Sequence, residues 1–291
     1  MTAIINYNYM TKPAKHCIDM PNDWYIKHGV TRGNNNEFDL QNMLHGDILF
    51  VKTDFVFNGA FVNKCLKHID KKFILVTGVS SYSIDEGDPS YKQILNSPYL
   101  IKWFCTNPPT KRHPKIEWLP IGFEEPERKG GNIEILKDFY NIKHDWTDKK
   151  DKIYIPFHGN TFNTRTEIIN LVSKNDFVEV ESNRLEFSEY LLKLSNYKYV
   201  LSLRGAGWDC HRHYECLLVN SVPIMDGGPI MRNFALNDIP VMDISDINKT
   251  IFDKAWDFTA SKQLLQTEYH TDKILKCQKD FYDFPFTFDK K

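Results

Sequence analysis

The chain has 291 residues, 42% of them hydrophobic and 26% charged, with a formal net charge of -1. This is an ordinary globular composition, long for one core and comfortable for two lobes. The balanced charge argues against a duplex nucleic-acid binder, which carries a basic surplus, and no apolar run approaches the ~18 residues of a membrane span.

The opening MTAIINYNYMTKPAKH lacks both the apolar core and the small-residue cleavage site of a signal peptide. Cys17, Cys65, Cys105, Cys210, Cys216 and Cys277 show no CxxC spacing and read as reduced thiols of a cytoplasmic protein. Residues 1–44 have little periodicity and read as loops with one short helix. The first strand is 47–51, ending in Lys52-Thr53-Asp54. Phe61, Val62, Cys65, Leu66 and Ile69 then keep helical spacing, and 73–78 is a second buried strand, which makes a βαβ unit.

The polar loop 79–90 follows that strand, and open α/β sheets bind ligands at such carboxyl ends. It carries Asp85, Glu86 and Asp88, each either a solvated surface carboxylate or a general base for a substrate hydroxyl. Ser90-Tyr91-Lys92-Gln93 has the capping-box pattern of a helix start. Residues 100–105 and 115–122 read as strands three and four, with Asn107 just past the former as an acceptor contact or a turn residue. The stretch 124–152 is charged and glycine-containing and holds a helix at 133–140, either within a connection between lobes or as an extra surface helix of the second lobe.

Residues 152–157 open the second lobe as a strand that ends in the turn His158-Gly159-Asn160-Thr161. Thr164-Arg165-Thr166-Glu167 again has the capping-box pattern. Gly159 and Arg165 bring backbone N–H groups and a cation to one turn, which suits a phosphate. His158 is a hydrogen-bonded turn histidine, a proton shuttle or a phosphate ligand. A short strand at 177–180, the loop Glu181-Ser182-Asn183-Arg184, and a helix capped by Ser188 come next.

The densest signal is 197–225, YKYVLSLRGAGWDCHRHYECLLVNSVPIM, read as strand, glycine turn, helix and strand. Asp209 is placed to cap the helix and Asn220 to take the left-handed turn that ends it. A helix start after a glycine turn presents unpaired N–H groups and a partial positive charge, and Arg204 and Arg212 add bidentate cations. Glu215, one turn deeper, suits the two vicinal hydroxyls of a ribose. By themselves Arg212 and Glu215 also fit a solvated i, i+3 ion pair. His211 and His213, at i and i+2, do not face each other, so no zinc site is read there, and His213 reads as a packed histidine. After this unit come the turn Asp226-Gly227-Gly228-Pro229, a last short strand at 240–242, and a helical tail anchored by Phe252, Trp256 and Phe281.

The run RGxGxDxxRxxExLLxxSVPI resembles the C-terminal signature of exostosin-like (family forty-seven type) glycosyltransferases, especially compact enzymes of large DNA viruses of algae. GDIxFVKTD, FILVTG, WFCTN and HPKIEWLPIGF are similar to phrases of that family's first lobe. The resemblance implies the GT-B fold, α/β with two Rossmann-like lobes and a cleft between them. It divides the chain into an acceptor lobe at 1–125, a connection at 126–151, a nucleotide-sugar lobe at 152–270 and a last helix at 271–291 that returns to the first lobe.

By the same resemblance Gly159, Arg165, Arg204, Gly205, Asp209, Arg212 and Glu215 bind the donor, the acidic helix residue facing the ribose. The family usually carries an aspartate right behind the glycine of FILVTG. Here Val79, Ser80 and Ser81 stand there, and Asp85 and Asp88 are the nearest carboxylates for the base, with His158 as a further catalytic candidate. The implied activity is inverting transfer of a sugar from a UDP-sugar, UDP-xylose placed first, to a hydroxyl of a glycan or glycoprotein. No cofactor and no metal are expected, in agreement with the lack of any Asp-x-Asp sequence. Two other classes stay open: another nucleotide-dependent enzyme on this fold, although no GxGxxG fingerprint occurs, and a non-catalytic glycan- or nucleotide-binding protein derived from it.

Overall fold

The computed structural model describes residues 4–5, 8–18, 42–84, 86–142, 145–157, 159 and 161–283. The chain separates into two compact units. The N-terminal unit comprises Asn8–Leu119 with Glu268–Lys291, and the C-terminal unit comprises Met1–Tyr7 with Pro120–Thr267.

In the N-terminal unit, β1 (His16–Ile18), β2 (Asp47–Lys52), β3 (Phe73–Gly78), β4 (Leu100–Cys105) and β5 (Ile116–Trp118) form one parallel sheet in the order β1-β2-β3-β4-β5. The runs DILFV and FILVTG are buried throughout, as strands covered on both faces must be. Leu49, Val51, Leu75, Trp103 and Cys105 pack on one face against Val56, Phe61, Val62, Leu66 and Ile94. The helix expected over 61–69 is broken into Thr53–Phe57, Ala60–Lys64 and a 3-10 turn at Leu66–His68. Gly59 sits at φ +74 before the second piece, a left-handed residue that interrupts helical progress.

The fourth expected strand is only Ile116–Trp118. Pro120 brings no N–H to a ladder, and Gly122 turns at φ +67, where a Cβ would lie 2.1 Å from a side-chain carbon of Ile5. The helix Pro89–Asn96 is capped by Asp88, whose carboxylate accepts the Ser90 N–H at 2.7 Å, and Pro89 fills the first helical position. Ser90 is therefore inside the helix and not its cap. The helix Thr267–Asp283 packs on this sheet. Gln278 donates to the Gly46 carbonyl at 2.9 Å, and Lys273 pairs with Glu117 at 2.6 Å. Among the described residues no helix is long and apolar enough to cross a membrane.

In the C-terminal unit, β6 (Lys150–Ile155), β7 (Val178–Val180), β8 (Tyr197–Leu201), β9 (Val222–Met225) and β10 (Met242–Asp243) are all parallel, in the order β10-β9-β8-β6-β7. Helices Arg165–Val172, Phe187–Ser195, His211–Leu218 and Gly228–Leu236 alternate with them. The chain steps outward from β6 to β7, then returns to the other side of β6 to form β8. That reversal is a topological switch point, where crossovers leave to opposite sides and a crevice opens at the carboxyl ends.

Two helix starts differ from their sequence pattern. Thr164 is already helical, at φ -80 and ψ -9, and makes no side-chain cap bond. The cap position before Phe187–Ser195 is Glu186, so Ser188 lies within the helix. Asn220 does take φ +53 past the end of His211–Leu218. Each unit is thus α/β on a five-stranded parallel sheet, the fold class expected for two Rossmann-like lobes of the GT-B type.

Candidate functional site

The carboxyl ends of β6 and β8 are joined by one side chain. Arg165 opens the helix after β6 and is only 7% exposed. Its Nη1 donates to the Gly159 carbonyl and to Thr161 Oγ1, both at 3.0 Å. Its Nη2 donates to the carbonyls of Leu203 at 2.9 Å and Arg204 at 2.7 Å. The first pair of acceptors lies on the turn after β6, the second on the turn after β8. Burial, and then the charge of Arg212, hold the Arg165 pKa below its ordinary value. The Nη1 and Nη2 nitrogens that the family resemblance directs at a diphosphate are engaged with three of the protein's own carbonyls and the Thr161 hydroxyl.

Arg204 is held differently. Its main-chain N–H donates to Asp226 Oδ1 at 3.1 Å. Its guanidinium lies 4.3 Å from the ring centre of Phe162 and 3.7 Å from that of Trp208, a cation between two aromatic faces. Nη2 also reaches the Ala206 carbonyl at 3.3 Å. Gly205 donates its N–H to Cys210 Sγ at 3.1 Å. The left-handed glycines at this rim are Gly227 and Gly228, at φ +82 and +88, after β9. Gly159 and Gly205 are not among the positive-φ residues.

The His211–Leu218 helix starts at Cys210 with no side-chain cap. Its first-turn N–H groups therefore keep the anion-attracting character of an open helix start. Burial, then the neighbouring Asp209 charge, push the Cys210 thiol up to about 11, so it stays protonated at neutral pH. Arg212 donates from Nη2 to the Phe157 carbonyl and from Nε to the Tyr190 hydroxyl, both at 3.3 Å. Tyr190 in turn donates to Glu215 Oε2 at 2.7 Å. Glu215 is 8% exposed, and burial lifts its carboxyl pKa, with the Tyr190 bond and the Arg212 charge acting against that. Arg212 and Glu215 are therefore not a solvated ion pair. They are linked through a tyrosine hydroxyl at the switch point.

Asp209 is not the helix cap expected of it. Its Oδ2 accepts the Ile121 N–H at 3.1 Å, and both oxygens accept from the Tyr214 hydroxyl at 2.8 Å. The residue fastens the segment leading into this unit to the helix. His213 is fully buried, with Nδ1 2.7 Å from Ser202 Oγ and Nε2 3.3 Å from the Trp208 carbonyl, a packed histidine as expected.

The structure thus brings Gly159, Arg165, Arg204, Gly205, Arg212 and Glu215 to one rim and turns Asp209 away from it. Asp88 belongs to the N-terminal unit, where it caps a helix. Asp85 and His158 lie outside the described residues. Sequence reasoning missed Tyr190, Phe162 and Trp208 as members of this rim. An aromatic set between Gly207 and Asp209 was the one available signal, for Trp208.

No protein-family model matches the chain, and no curated protein matches it in sequence. Several solved structures are similar to it. The crystal structure of an alpha1,3-fucosyltransferase matches over 90% of this chain and 80% of that one, with 12% identity and a TM-score of 0.41. That of the GtfA/B complex matches over 87% of this chain and 63% of that one, with 9% identity and a TM-score of 0.45.

Proposed function

We propose that the chain is a glycosyltransferase of exostosin-like type that takes a UDP-sugar at the carboxyl ends of β6 and β8. The observation that carries this reading is the Arg212–Tyr190–Glu215 chain at the switch point. A buried carboxylate that accepts one bond from Tyr190, and no other among the described residues, has acceptor capacity for a ribose diol. The uncapped helix start and Arg212 suit the adjoining diphosphate. Arg165 serves the site by joining its two turns, and Arg204 by holding Phe162 and Trp208 in place.

In the proposed reaction an acceptor hydroxyl oxygen forms a bond to the anomeric carbon as the bond to the diphosphate oxygen breaks, with inversion. The hydroxyl proton passes to a base, for which Asp85, Asp88 and His158 are the candidates. Charge on the departing diphosphate is offset by Arg212 and main-chain N–H groups, without a metal. UDP-xylose is the first donor to test, a glycan or glycoprotein the acceptor, and the cytoplasm the proposed location.

Thermal unfolding in EDTA with UDP, GDP, ADP, CMP and NAD tests the donor site. A nucleotide at ~100 times its dissociation constant adds about 2.7 kcal/mol. UDP is expected to stabilise the wild type and not Arg212→Met or Glu215→Ala. Silence with every nucleotide in a folded sample overturns the reading. One observation favours the alternative, a non-catalytic nucleotide- or glycan-binding protein: Arg165 and Arg204 are both engaged by the protein itself. UDP binding without transfer from any UDP-sugar would select it.

A further inference from the structure

Three features of the N-terminal unit meet at the carboxyl ends of β2 and β3, and the donor reading uses none of them. The first is a pair of exposed aromatic rings. Phe57 is 50% exposed and Tyr82 45% exposed, yet their rings stack with centres 4.3 Å apart and planes within 5°. Single exposed apolar residues are common on protein surfaces and require no explanation. The two rings lie face to face, each shielding one face of the other, so what the stack offers a ligand is an outer ring face.

The second feature is the backbone that places Tyr82. Val79 leaves β3 at φ +56, a left-handed conformation that is strained for a β-branched residue. Asn107, buried at φ +47 beyond β4, donates from Nδ2 to the Ser80 carbonyl at 3.4 Å. Ser80 Oγ then accepts the Tyr82 N–H at 3.3 Å. On the other side, Thr53 Oγ1 donates to the Gly78 carbonyl at 3.3 Å and ties the helix that carries Phe57 to the end of β3. Strain held in this way clusters at functional sites.

The third feature is a carboxylate. Asp54 precedes Phe57 by three residues on one helical turn, so the two side chains share a face. Its Oδ2 is enclosed, without a hydrogen-bond partner and 3.8 Å from Lys52 Nζ, while the side chain as a whole is 39% exposed, which leaves Oδ1 as the oxygen open to a ligand.

We propose that Asp54, Phe57 and Tyr82 form a subsite for one pyranose ring of a glycan. A pyranose has an apolar C–H face and a belt of hydroxyls at its edge. The electron-rich face of a ring receives the polarised C–H bonds, and the carboxylate accepts from hydroxyls at the edge. A platform with acceptor capacity beside it answers both. That this sugar belongs to the acceptor of the transfer rests on the glycosyltransferase reading. The sugar subsite itself does not.

The test is saturation-transfer NMR on the full chain with cellohexaose, xylohexaose, maltohexaose and chitohexaose. At least one is expected to receive saturation on its ring C–H protons. Phe57→Ala and Tyr82→Ala should each weaken that ligand about tenfold, since one removes the ring that the sugar covers and the other the ring that backs it, while Tyr82→Phe keeps it. Asp54→Asn should weaken it without disturbing the platform. Both rings are exposed, so these variants should fold, and unchanged UDP stabilisation in each would show that they do. No signal from any of the four sugars overturns the proposal, as does a signal that survives both alanine substitutions. Loss of UDP binding in a folded Phe57→Ala protein also overturns it, by assigning the platform to a nucleobase. If the wild type binds a sugar here and no nucleotide at all, the subsite stands and the transferase reading falls.

Discussion

The indole of Trp208 occupies the space that a side chain on Gly228 would need: a Cβ there would lie 2.3 Å from a ring carbon. Gly228 is also left-handed, at φ +88, so only glycine meets both demands without strain. Gly228→Ala should destabilise the protein by about 2 kcal/mol or more, since it combines backbone strain with overpacking. Urea unfolding measures the loss. A change in tryptophan emission below the transition would report that Trp208 has left its place beside Arg204.

Arg165→Lys should not be conservative. A lysine ammonium has three donors on one atom and cannot span four acceptors on two turns. Leaving buried carbonyls without donors costs on the order of 1–3 kcal/mol. The expected result is a lower melting temperature together with loss of UDP stabilisation, read in one thermal scan. Wild-type stability in the lysine variant would show that the two turns hold without the fork.

Asp88 allows structure and chemistry to be separated. Its carboxylate caps the helix Pro89–Asn96, and asparagine caps about as well as aspartate whereas alanine loses about 1 kcal/mol. Asp88→Asn should therefore keep wild-type stability while Asp88→Ala loses about that amount. If Asp88 is the base, both variants lose transfer. Full transfer by the asparagine variant would remove it from the candidates and leave Asp85 and His158.

His213 should give a pH signature. Burial, acting against its bond to the Trp208 carbonyl, lowers its pKa from 6.5 to about 3. Between those values the unfolded chain binds a proton that the folded chain does not, so stability rises with pH across that window. The contribution is complete above the unfolded value and is lost as pH falls toward the folded one, at about 1.4 kcal/mol per pH unit. Unfolding free energies measured from pH 7 to pH 4 should show that slope. In His213→Gln, less stable at neutral pH, the slope should fall by one proton.

The parallel strands were legible because their residues are buried on both faces, and a run such as FILVTG admits few other readings. β1 was not, since HCI is too short to show a period. The helix starts misled for a local reason: a Thr-x-x-Glu or Ser-x-x-Gln pattern is matched by chance, and at 88–90 the Asp-Pro pair had already supplied cap and first turn. The two arginine-bearing turns could be found because glycine and arginine announce themselves along the chain. The role of Asp209 could not, because its partner Ile121 lies 88 residues away. Tyr190 was equally silent, since its hydroxyl meets Glu215 from a helix 25 residues upstream.

The guanidinium of Arg165 has a consequence for how this rim comes apart. Four acceptors on two separate loops answer to one planar group. Neither loop can swing outward without releasing the other, so amide protons of 161–162 and 203–207 should exchange with solvent in a single correlated opening. On the proposed function, a donor phosphate would meet a rim whose conformational freedom was already removed when the chain folded, and its binding would carry a correspondingly small ordering penalty.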